Sequence, residues 1–335
     1  MQKWLIILLS LVLTALCATA LLLVAGGARF LPQPAETTAV PVAATLVTST
    51  ATEPTTEPAQ PTESLPPVPE PPDMSQSTAT HLFVYDTVHD RMLYTLGDQN
   101  ERIEPASLTK LFTAYVALQH LDPSKVVTVG EEAGWVAKDS SVAAVSEGCR
   151  LSAGLILQGM LMQSGNDAAY AIAVAAGRAI KGDDTLAAKP AYDAFIAEMN
   201  RQLESLGFTA THFTNPDGYH DDDHYTTPAE LLRITQLAVT EPLIRECCSM
   251  ESAQVYYDSG QEYTWKNTNW LIRTDVEDYY CPEATGLKTG STSKAGMCLL
   301  ATFSSENANL IVGVLGCEEM EDRFVDALTL FYHYR

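Results

Sequence analysis

The stretch that decides the fold is residues 104–119, which read EPASLTKLFTAYVALQ. Pro105 and Ser107 mark the start of a helix, and apolar residues then recur up to Leu118 at the spacing that carries one helix face into a core. Ser107 and Lys110 are three residues apart on this helix, so a hydroxyl and an amine share one face. This arrangement suits covalent catalysis, because a base activates the serine and the helix N-terminus favours negative charge.

Two other short stretches carry chemically competent groups. Ser164–Asn166 interrupts two apolar helical segments, so its hydroxyl and amide stand at a polar break in a helical region. Lys288–Gly290 follows a strand pattern, and Gly290 lets a substrate approach the backbone closely. The Ser-x-x-Lys spacing alone is not decisive, since it recurs at Ser291 and Lys294, where we expect a strand-to-strand turn.

The charge of the chain excludes one class of partner. The 335 residues include 42 Asp and Glu against 20 Lys and Arg, which gives a net charge of -22. A nucleic-acid backbone needs a basic patch that this balance does not favour, so we predict no nucleic-acid partner. The same charge repels anionic lipid and anionic wall polymer, so attachment to a surface needs a dedicated segment.

The N-terminus supplies such a segment. Residues 4–25 contain no charged residue and are about as long as a helix that spans a bilayer. We therefore predict that residues 1–30 form an uncleaved membrane anchor or a signal peptide, which places the rest of the chain on the extracytoplasmic side. Residues 31–76 are rich in Pro and Thr and lack Lys and Arg, which predicts a disordered linker to a folded domain at residues 77–335.

The cysteines and histidines do not indicate a metal site. The seven cysteines show neither metal-ligand spacings nor a disulfide framework, so we interpret them as small core residues. The segment His220–His224 places three Asp residues between two His residues, which we interpret as a solvated turn rather than a set of metal ligands. We predict no metal and no cofactor.

The order of the predicted elements indicates an α+β fold. Before the opening helix we expect two strands, at 81–86 and 91–96. After it we expect a mainly helical region, with helices at 151–162, 168–179, 191–206 and 228–238. The last part of the chain fits an antiparallel sheet closed by a helix, with strands at 254–257, 264–271, 286–289, 297–303 and 310–315 and the helix at 321–334. Strands at both ends thus enclose a helical insertion, which gives two lobes with a cleft between them.

The three chemically competent stretches, in this order, match the Ser-x-x-Lys, Ser-x-Asn and Lys-Thr-Gly signature of serine β-lactamases and penicillin-binding proteins. From about residue 80 onward, the sequence resembles the D-alanyl-D-alanine carboxypeptidases among the low-molecular-mass penicillin-binding proteins. The stretches that carry this resemblance are Pro105–Lys110, Met162–Ala168, Phe213–Gly218, His224–Thr227, Asn267–Asn269, Gly286–Gly290 and Ala295–Gly296. The resemblance implies the serine β-lactamase/D,D-peptidase-like fold, an antiparallel sheet flanked by helices plus a mainly helical lobe, with the active site between them.

The resemblance also implies the catalytic roles. Ser107 attacks the carbonyl of the penultimate D-Ala of a peptidoglycan stem peptide and expels the terminal D-Ala. Lys110 is the base for this acylation, and we expect burial and a second cation at Lys288 to lower the pKa of Lys110. Ser164 relays the proton to the leaving amine, and water then hydrolyses the acyl-enzyme. β-Lactam antibiotics are expected to acylate the same serine as inhibitors.

The substrate contacts follow from the same resemblance. Asn166 binds the substrate amide, while Lys288 and Thr289 hold the terminal carboxylate, which needs a cation and a hydroxyl donor. Gly290 belongs to the same strand end. The backbone N–H groups of Ser107 and Ser291 are expected to form the oxyanion hole.

Two departures from the family pattern and three alternatives accompany this interpretation. Relatives often carry a second, β-rich domain and a C-terminal amphipathic membrane helix, and we expect the N-terminal anchor to take over attachment here. Relatives also frequently have a bulkier residue at the position of Ser291. The alternatives are a D,D-endopeptidase, a β-lactamase of the same fold, or a non-catalytic penicilloyl sensor or wall-binding domain. A fast β-lactamase needs an added base for hydrolysis of the acyl-enzyme, and no stretch clearly supplies one.

Overall fold

The computed structural model describes residues 65–257 and 260–335 and has strands towards both ends of this range with helices between them. In chain order, the strands are β1 (His81–Asp86), β2 (Arg91–Leu96), β3 (Val126–Thr128), β4 (Arg150–Ser152), β5 (Ser252–Tyr256), β6 (Glu262–Lys266), β7 (Ala284–Thr292), β8 (Gly296–Ser304) and β9 (Asn309–Cys317). The helices are α1 (Thr109–Leu118), α2 (Ala153–Met162), α3 (Asn166–Lys181), α4 (Ala188–Ser205), α5 (Pro228–Ala238), α6 (Pro242–Ser249) and α7 (Asp322–Tyr334).

Alternating apolar side chains build the central sheet, because successive residues of a strand point to opposite faces. The five strands of this sheet are antiparallel and lie in the order β2-β1-β9-β8-β7. On β1, Leu82 and Val84 point into one hydrophobic cluster and Phe83 into another. The sheet therefore has a core on each face.

A different helix covers each face of the sheet. On one face, α7 packs its Phe331 against Phe303 of β8, with ring centroids 4.2 Å apart. On the other face lies α1, which is buried on nearly all sides, including Leu111 and Phe112. Burial of a Phe side chain of this kind is worth about 1.5–3 kcal/mol. The stretch singled out in the sequence is thus the central helix of the larger core.

The α+β prediction is confirmed, and several elements coincide with their predicted bounds. Strands β1 and β2 and helix α5 begin and end at the predicted residues. The helices α2, α3 and α4 differ from prediction by one to three residues at their ends, as expected for helix termini. The loop between β8 and β9 lies where a hairpin loop was predicted, between Ser304 and Asn309.

Three features differ from the predictions. Strands β5 and β6 pair only with each other as a separate hairpin, whereas the sequence pattern placed them in the main antiparallel sheet. The residues predicted to extend β6 as far as Leu271 instead leave the strand and form a short 3₁₀ turn at Trp270–Ile272. Asn269 caps this turn, because its side chain accepts a hydrogen bond from Leu271 N. Helix α6 was not predicted, although Pro242 at its first turn is a usual helix start signal.

The chain begins to pack before residue 77, where the folded domain was predicted to start. Met74 is buried in the core beneath α7. Ser77 and Thr78 donate hydrogen bonds of 2.6 Å to Asp326 and Asp322 of that helix. The structure describes no helix long and apolar enough to cross a membrane at residues 65–257 or 260–335, and the predicted anchor lies outside these ranges.

The cysteines of the described residues are free thiols. Cys247, Cys248, Cys281, Cys298 and Cys317 are buried, and burial raises the pKa of each thiol. The prediction that these five are core residues is confirmed. Cys149 is half-buried, and Cys17 lies outside the described residues.

Candidate active site

The nucleophile candidate stands on a strained turn rather than on a regular helix. A 3₁₀ turn, here called the nucleophile turn, covers Ala106–Leu108. Helix α1 begins only at Thr109, so it starts later than the sequence predicted. The reason is Ala106, whose φ of +48° lies in the left-handed region that is costly for a residue with a side chain. This turn lifts Ser107 to a half-buried position at the mouth of the helix.

Lys110 lies beneath this turn, fully buried, and its amine has three oxygen neighbours. Its Nζ lies 2.7 Å from Ser107 Oγ, 2.8 Å from Asn166 Oδ1 and 2.7 Å from the main-chain oxygen of Asp217. A neutral amine has two N–H bonds and one lone pair. Because the amide and carbonyl oxygens only accept hydrogen bonds, they take the two N–H bonds and leave the lone pair for the serine hydroxyl.

The environment makes the neutral form of this amine accessible. Burial lowers the pKa of Lys110 to about 8, against the opposing effect of the carboxylates of Asp217 and Asp167. The predicted lowering by burial is confirmed. The predicted contribution of a second cation at Lys288 to this lowering is not found. The pKa of Lys288 itself lies well below its ordinary value, through burial first and through Lys110 second.

The second motif lies at the break between α2 and α3, as predicted. Ser164 has a φ of +57°, so it is a second strained residue at this site. Asn166 opens α3, and its Nδ2 donates to Ser140 Oγ at 2.9 Å while its Oδ1 faces Lys110. One N–H of the Asn166 amide remains for a substrate carbonyl, since that group carries two hydrogens.

The third motif lies on β7, the strand at one edge of the sheet. Lys288 Nζ lies 2.9 Å from Ser164 Oγ and donates to the main-chain oxygen of Thr289 at the same distance. The hydroxyls of Thr289 and Thr268 are 2.6 Å apart. Thr268 is held beside the end of α2 by a hydrogen bond from its N–H to Met162 O. A row of hydroxyls and an amine therefore runs from the helical lobe to the sheet edge.

Gly290 serves a second purpose besides the one predicted. A side chain there would lie 3.2 Å from Ala106 Cβ, Leu108 Cγ and Pro105 O. The missing side chain thus lets the nucleophile turn pack directly on β7, in addition to leaving the strand open to the cleft. Ser291, the next residue, is exposed at the cleft edge.

One functional candidate escaped the sequence analysis. Arg323, at the start of α7, is buried and reaches the cleft, where its Nη1 donates to the main-chain oxygens of Gly290 and Cys298 at 3.3 and 3.4 Å. Its Nε is buried without a hydrogen-bond partner among the described residues. The available signal was one Arg directly after the acidic stretch 318–322.

The loop at residues 214–218 closes the floor of the site. Gly218 packs so closely on the nucleophile turn that a Cβ atom would lie 1.8 Å from Ala106 O. The Asp217 carboxyl group is buried, lines the cleft and accepts a hydrogen bond from Tyr219 N at 3.1 Å. Burial raises the pKa of Asp217, and Lys110 opposes that shift. The sequence analysis did not single out this carboxyl group.

The histidine and aspartate cluster separates in three dimensions. His220 Nδ1 lies 2.9 Å from a carboxylate oxygen of Glu104 at the rim, whereas His224 is buried and faces Thr109. Lys294 lies in the turn between β7 and β8 and forms an ion pair of 3.3 Å with Asp222. The predicted turn is thus confirmed for Lys294, whereas Ser291 lies on β7. The described residues contain no grouping of three or more His, Cys, Asp or Glu side chains suited to a metal.

These groups meet in one cleft of about 560 Å³. Six of the eight predicted site residues line it, namely Ser107, Ser164, Asn166, Thr289, Gly290 and Ser291. The other two, the buried lysines, lie directly beneath and contact Ser107 and Ser164. A serine with a neutral amine as base, next to the guanidinium of Arg323 and several hydroxyls, is equipped for acyl transfer from a substrate that ends in a carboxylate.

Comparisons with known proteins point to the same chemistry. A family profile described as D-alanyl-D-alanine carboxypeptidase matches residues 68–319. DacA of Escherichia coli strain K12, a D-alanyl-D-alanine carboxypeptidase, is 31% identical over 248 residues, which are 70% of this chain and 56% of that protein. DacF of Bacillus subtilis strain 168, with the same description, is 27% identical over 241 residues, again 70% of this chain and 56% of that protein.

A solved structure is similar over its whole length. The crystal structure of the Streptomyces K15 DD-transpeptidase superposes with a TM-score of 0.68 at 27% identity, covering 77% of this chain and 97% of that chain. The fold is therefore shared. The chain spans only about 56% of the length of the two curated relatives named above.

Proposed function

Since this chain belongs to the D-alanyl-D-alanine carboxypeptidase family, we propose that it removes the terminal D-Ala from peptidoglycan stem peptides through an acyl-enzyme at Ser107. The observation that carries the proposal is the placement of Lys110 Nζ, 2.7 Å from Ser107 Oγ. Asn166 Oδ1 and the main-chain oxygen of Asp217 accept the two N–H bonds of the neutral amine, which leaves its lone pair for the Ser107 hydroxyl. A buried lysine held in this way is a base matched to a serine nucleophile.

The acylation step follows from this placement. The Ser107 hydroxyl passes its proton to neutral Lys110 as Oγ attacks the carbonyl carbon of the penultimate D-Ala. The developing oxyanion is stabilised by the N–H groups of Ser107 and Ser291, at the junction of the turn and β7. The proton reaches the leaving amine through Ser164, which lies 2.9 Å from Lys288. The terminal D-Ala leaves, and water hydrolyses the ester.

The substrate carboxylate is assigned to the sheet side of the cleft. Thr289 and Thr268 offer hydroxyls 2.6 Å apart, and the guanidinium of Arg323 lines the cleft. The amine of Lys288 lies directly beneath, next to Ser164 and Thr289. The unpartnered Nε of Arg323 supports this assignment, because a buried donor without an acceptor is costly unless a ligand supplies one. Asn166 binds the amide of the acyl chain. β-Lactams, whose ring amide and carboxylate imitate this substrate, are expected to acylate Ser107.

We also propose the arrangement of the whole chain. Residues 1–30 anchor it in the membrane, and the Pro- and Thr-rich stretch that begins at residue 31 acts as a linker. The peptidase domain, which begins to pack before residue 77, lies on the extracytoplasmic face. The charge-free run at residues 4–25 supports the anchor.

One experiment tests the activity. The full chain in detergent is incubated with a peptide that ends in D-Ala-D-Ala, and released D-alanine is measured beside covalent labelling by a fluorescent penicillin, with Ser107→Ala as the control. Wild type should release D-alanine and carry one label, and the variant should do neither. A labelled chain that releases no D-alanine would support a penicilloyl sensor, and rapid loss of the label would support a β-lactamase. Cleavage of a cross-linked dimeric peptide would identify an endopeptidase.

A further inference from the structure

A buried chain of hydrogen bonds runs behind the nucleophile turn. Thr214 N donates to His224 Nδ1 at 3.1 Å, His224 Nε2 lies 2.9 Å from Thr109 Oγ1, and Thr109 Oγ1 donates to Ala106 O at 2.9 Å. Thr109 and Ala106 are fully buried, and His224 is 2% exposed. Ala106, at the end of this series of hydrogen bonds, directly precedes Ser107.

The direction of every hydrogen bond in this chain is fixed. A backbone N–H only donates, so Nδ1 of His224 is the acceptor and the ring proton is on Nε2. The Thr109 hydroxyl accepts from that proton and directs its own hydrogen at Ala106 O. Burial lowers the pKa of His224 to about 3, so the ring remains neutral at physiological pH. The ring is also stacked on Phe213, with centroids 4.9 Å apart.

The carbonyl at the end of this chain shares a peptide unit with the nucleophile. In a planar trans peptide, the C=O and N–H bonds point in opposite directions. Fixing the Ala106 carbonyl therefore fixes the Ser107 N–H on the opposite side. Ala106 O also accepts the backbone N–H of Thr109, so this residue holds the carbonyl through two of its atoms.

The turn needs such a hold because its backbone is strained. Ala106 is in the left-handed region at a φ of +48°, a conformation that persists only when the surroundings enforce it. Gly218 packs against its carbonyl and Gly290 against its Cβ atom. The hydrogen bond from Thr109 Oγ1 adds the directional restraint that packing alone does not give.

We propose that His224 and Thr109 are positioning residues for the oxyanion hole, which aim the Ser107 N–H into the cleft by holding the Ala106 carbonyl from behind. The inference rests on the proposed function, because it assigns a cause to the orientation of a donor in that same site. Loss of a donor of this kind typically slows an enzyme by about 10²- to 10³-fold, so its partial misorientation should cost at least about tenfold.

The test is the rate of acylation of the full chain by a fluorescent penicillin in matched threonine variants. Thr109→Val and His224→Phe should acylate at least about tenfold more slowly than wild type. The affinity of the complex before acylation should stay unchanged, and labelling should still reach completion. Thr109→Ser keeps the hydroxyl and should stay within about threefold of wild type.

Thr235→Val is the matched control for lost packing and lost stability. Thr235 lies on α5, is equally buried, and donates through Oγ1 to Leu231 O at 2.8 Å within its own helix. Its removal should lower the melting temperature about as much as Thr109→Val while leaving the acylation rate near that of wild type. Equal slowing in both variants would mean a purely structural role and would overturn the inference.

The remaining outcomes separate the inference from the proposed function. Wild-type rates in Thr109→Val or in His224→Phe, with the wild type active, would overturn the inference alone. Both are measured, so the failure of one variant to fold leaves the other decisive. A wild-type chain that neither labels nor releases D-alanine would overturn the proposed function and this inference with it.

Discussion

The substitution Gly218→Ala tests the close contact between the nucleophile turn and the loop beneath it. A Cβ atom on Gly218 would lie 1.8 Å from Ala106 O and 2.4 Å from Ala106 C. Non-bonded carbon atoms keep about 3.5–4.0 Å apart, so the turn and the loop must separate by at least about 1 Å. The loop also carries the Asp217 carbonyl that faces Lys110.

The expected effect has a stability part and a catalytic part. Gly218 has a φ of +80°, which costs a residue with a side chain about 1–2 kcal/mol, and overpacking adds about 1–3 kcal/mol. The domain should still fold, since such losses lie below the stability of about 5–15 kcal/mol that is usual for a domain. Acylation should fall at least about 100-fold, because a 1 Å misplacement of a catalytic group has that effect.

The assay compares two alanine variants at glycines with similar backbone angles. Gly148 has a φ of +86°, but a Cβ atom there meets nothing within 4 Å. Gly148→Ala should therefore lose about 1–2 kcal/mol in urea unfolding and keep the wild-type rate of labelling by a fluorescent penicillin. The reasoning fails if folded Gly218→Ala acylates within about threefold of Gly148→Ala.

Three further predictions concern protonation. The pKa of Lys110 is about 8, and its neutral form is the base. The rate of acylation should therefore rise about tenfold per pH unit between pH 5 and 7 and level off above pH 8. A rate measured by stopped flow that does not change over this pH range would contradict the prediction. Asp217→Asn removes a negative charge that raises the pKa of Lys110. The pH range over which the acylation rate rises should therefore move to lower pH in this variant. A range that stays in place or moves to higher pH would exclude the effect of Asp217 on Lys110. His224 is held neutral, with a pKa of about 3 against the ordinary 6.5. The unfolded chain therefore takes up a proton first, and stability should fall by about 3 kcal/mol between pH 7 and pH 4 from this group; urea unfolding of His224→Phe should lack that part of the loss.

Much of the fold follows from local patterns in the sequence. β1 and β2 were predictable because their alternating residues meet a core on at least one face, and α5 because Thr227 and Pro228 mark its start. The separate β5–β6 hairpin was not predictable in this way. A short alternating strand has the same pattern whether it joins a large sheet or a small one, and its partner is set by long-range packing.

The site also combines residues that local sequence patterns predict with residues that long-range packing places. Ser107, Ser164 and Lys288 were predictable because their motifs have fixed spacings and lie on the expected elements. Arg323 was not, since a single arginine carries no spacing, and its approach to the cleft depends on how α7 crosses the sheet. The left-handed backbone of Ala106 was also out of reach, because alanine has no local preference for that conformation and tertiary contacts enforce it.

The packing of residues 65–79 along α7 has a mechanical consequence. Ser77 and Thr78 are fastened to Asp326 and Asp322, and the main-chain oxygen of Glu70 lies 2.7 Å from His333 near the far end of that helix. A force applied at residue 65 therefore acts on this series of hydrogen bonds in shear. It is transmitted to the rest of the domain through α7 and β1. The helical lobe, which carries Ser164 and Asn166, makes none of these hydrogen bonds, so the N-terminal side of the domain is fastened to α7 and not to that lobe.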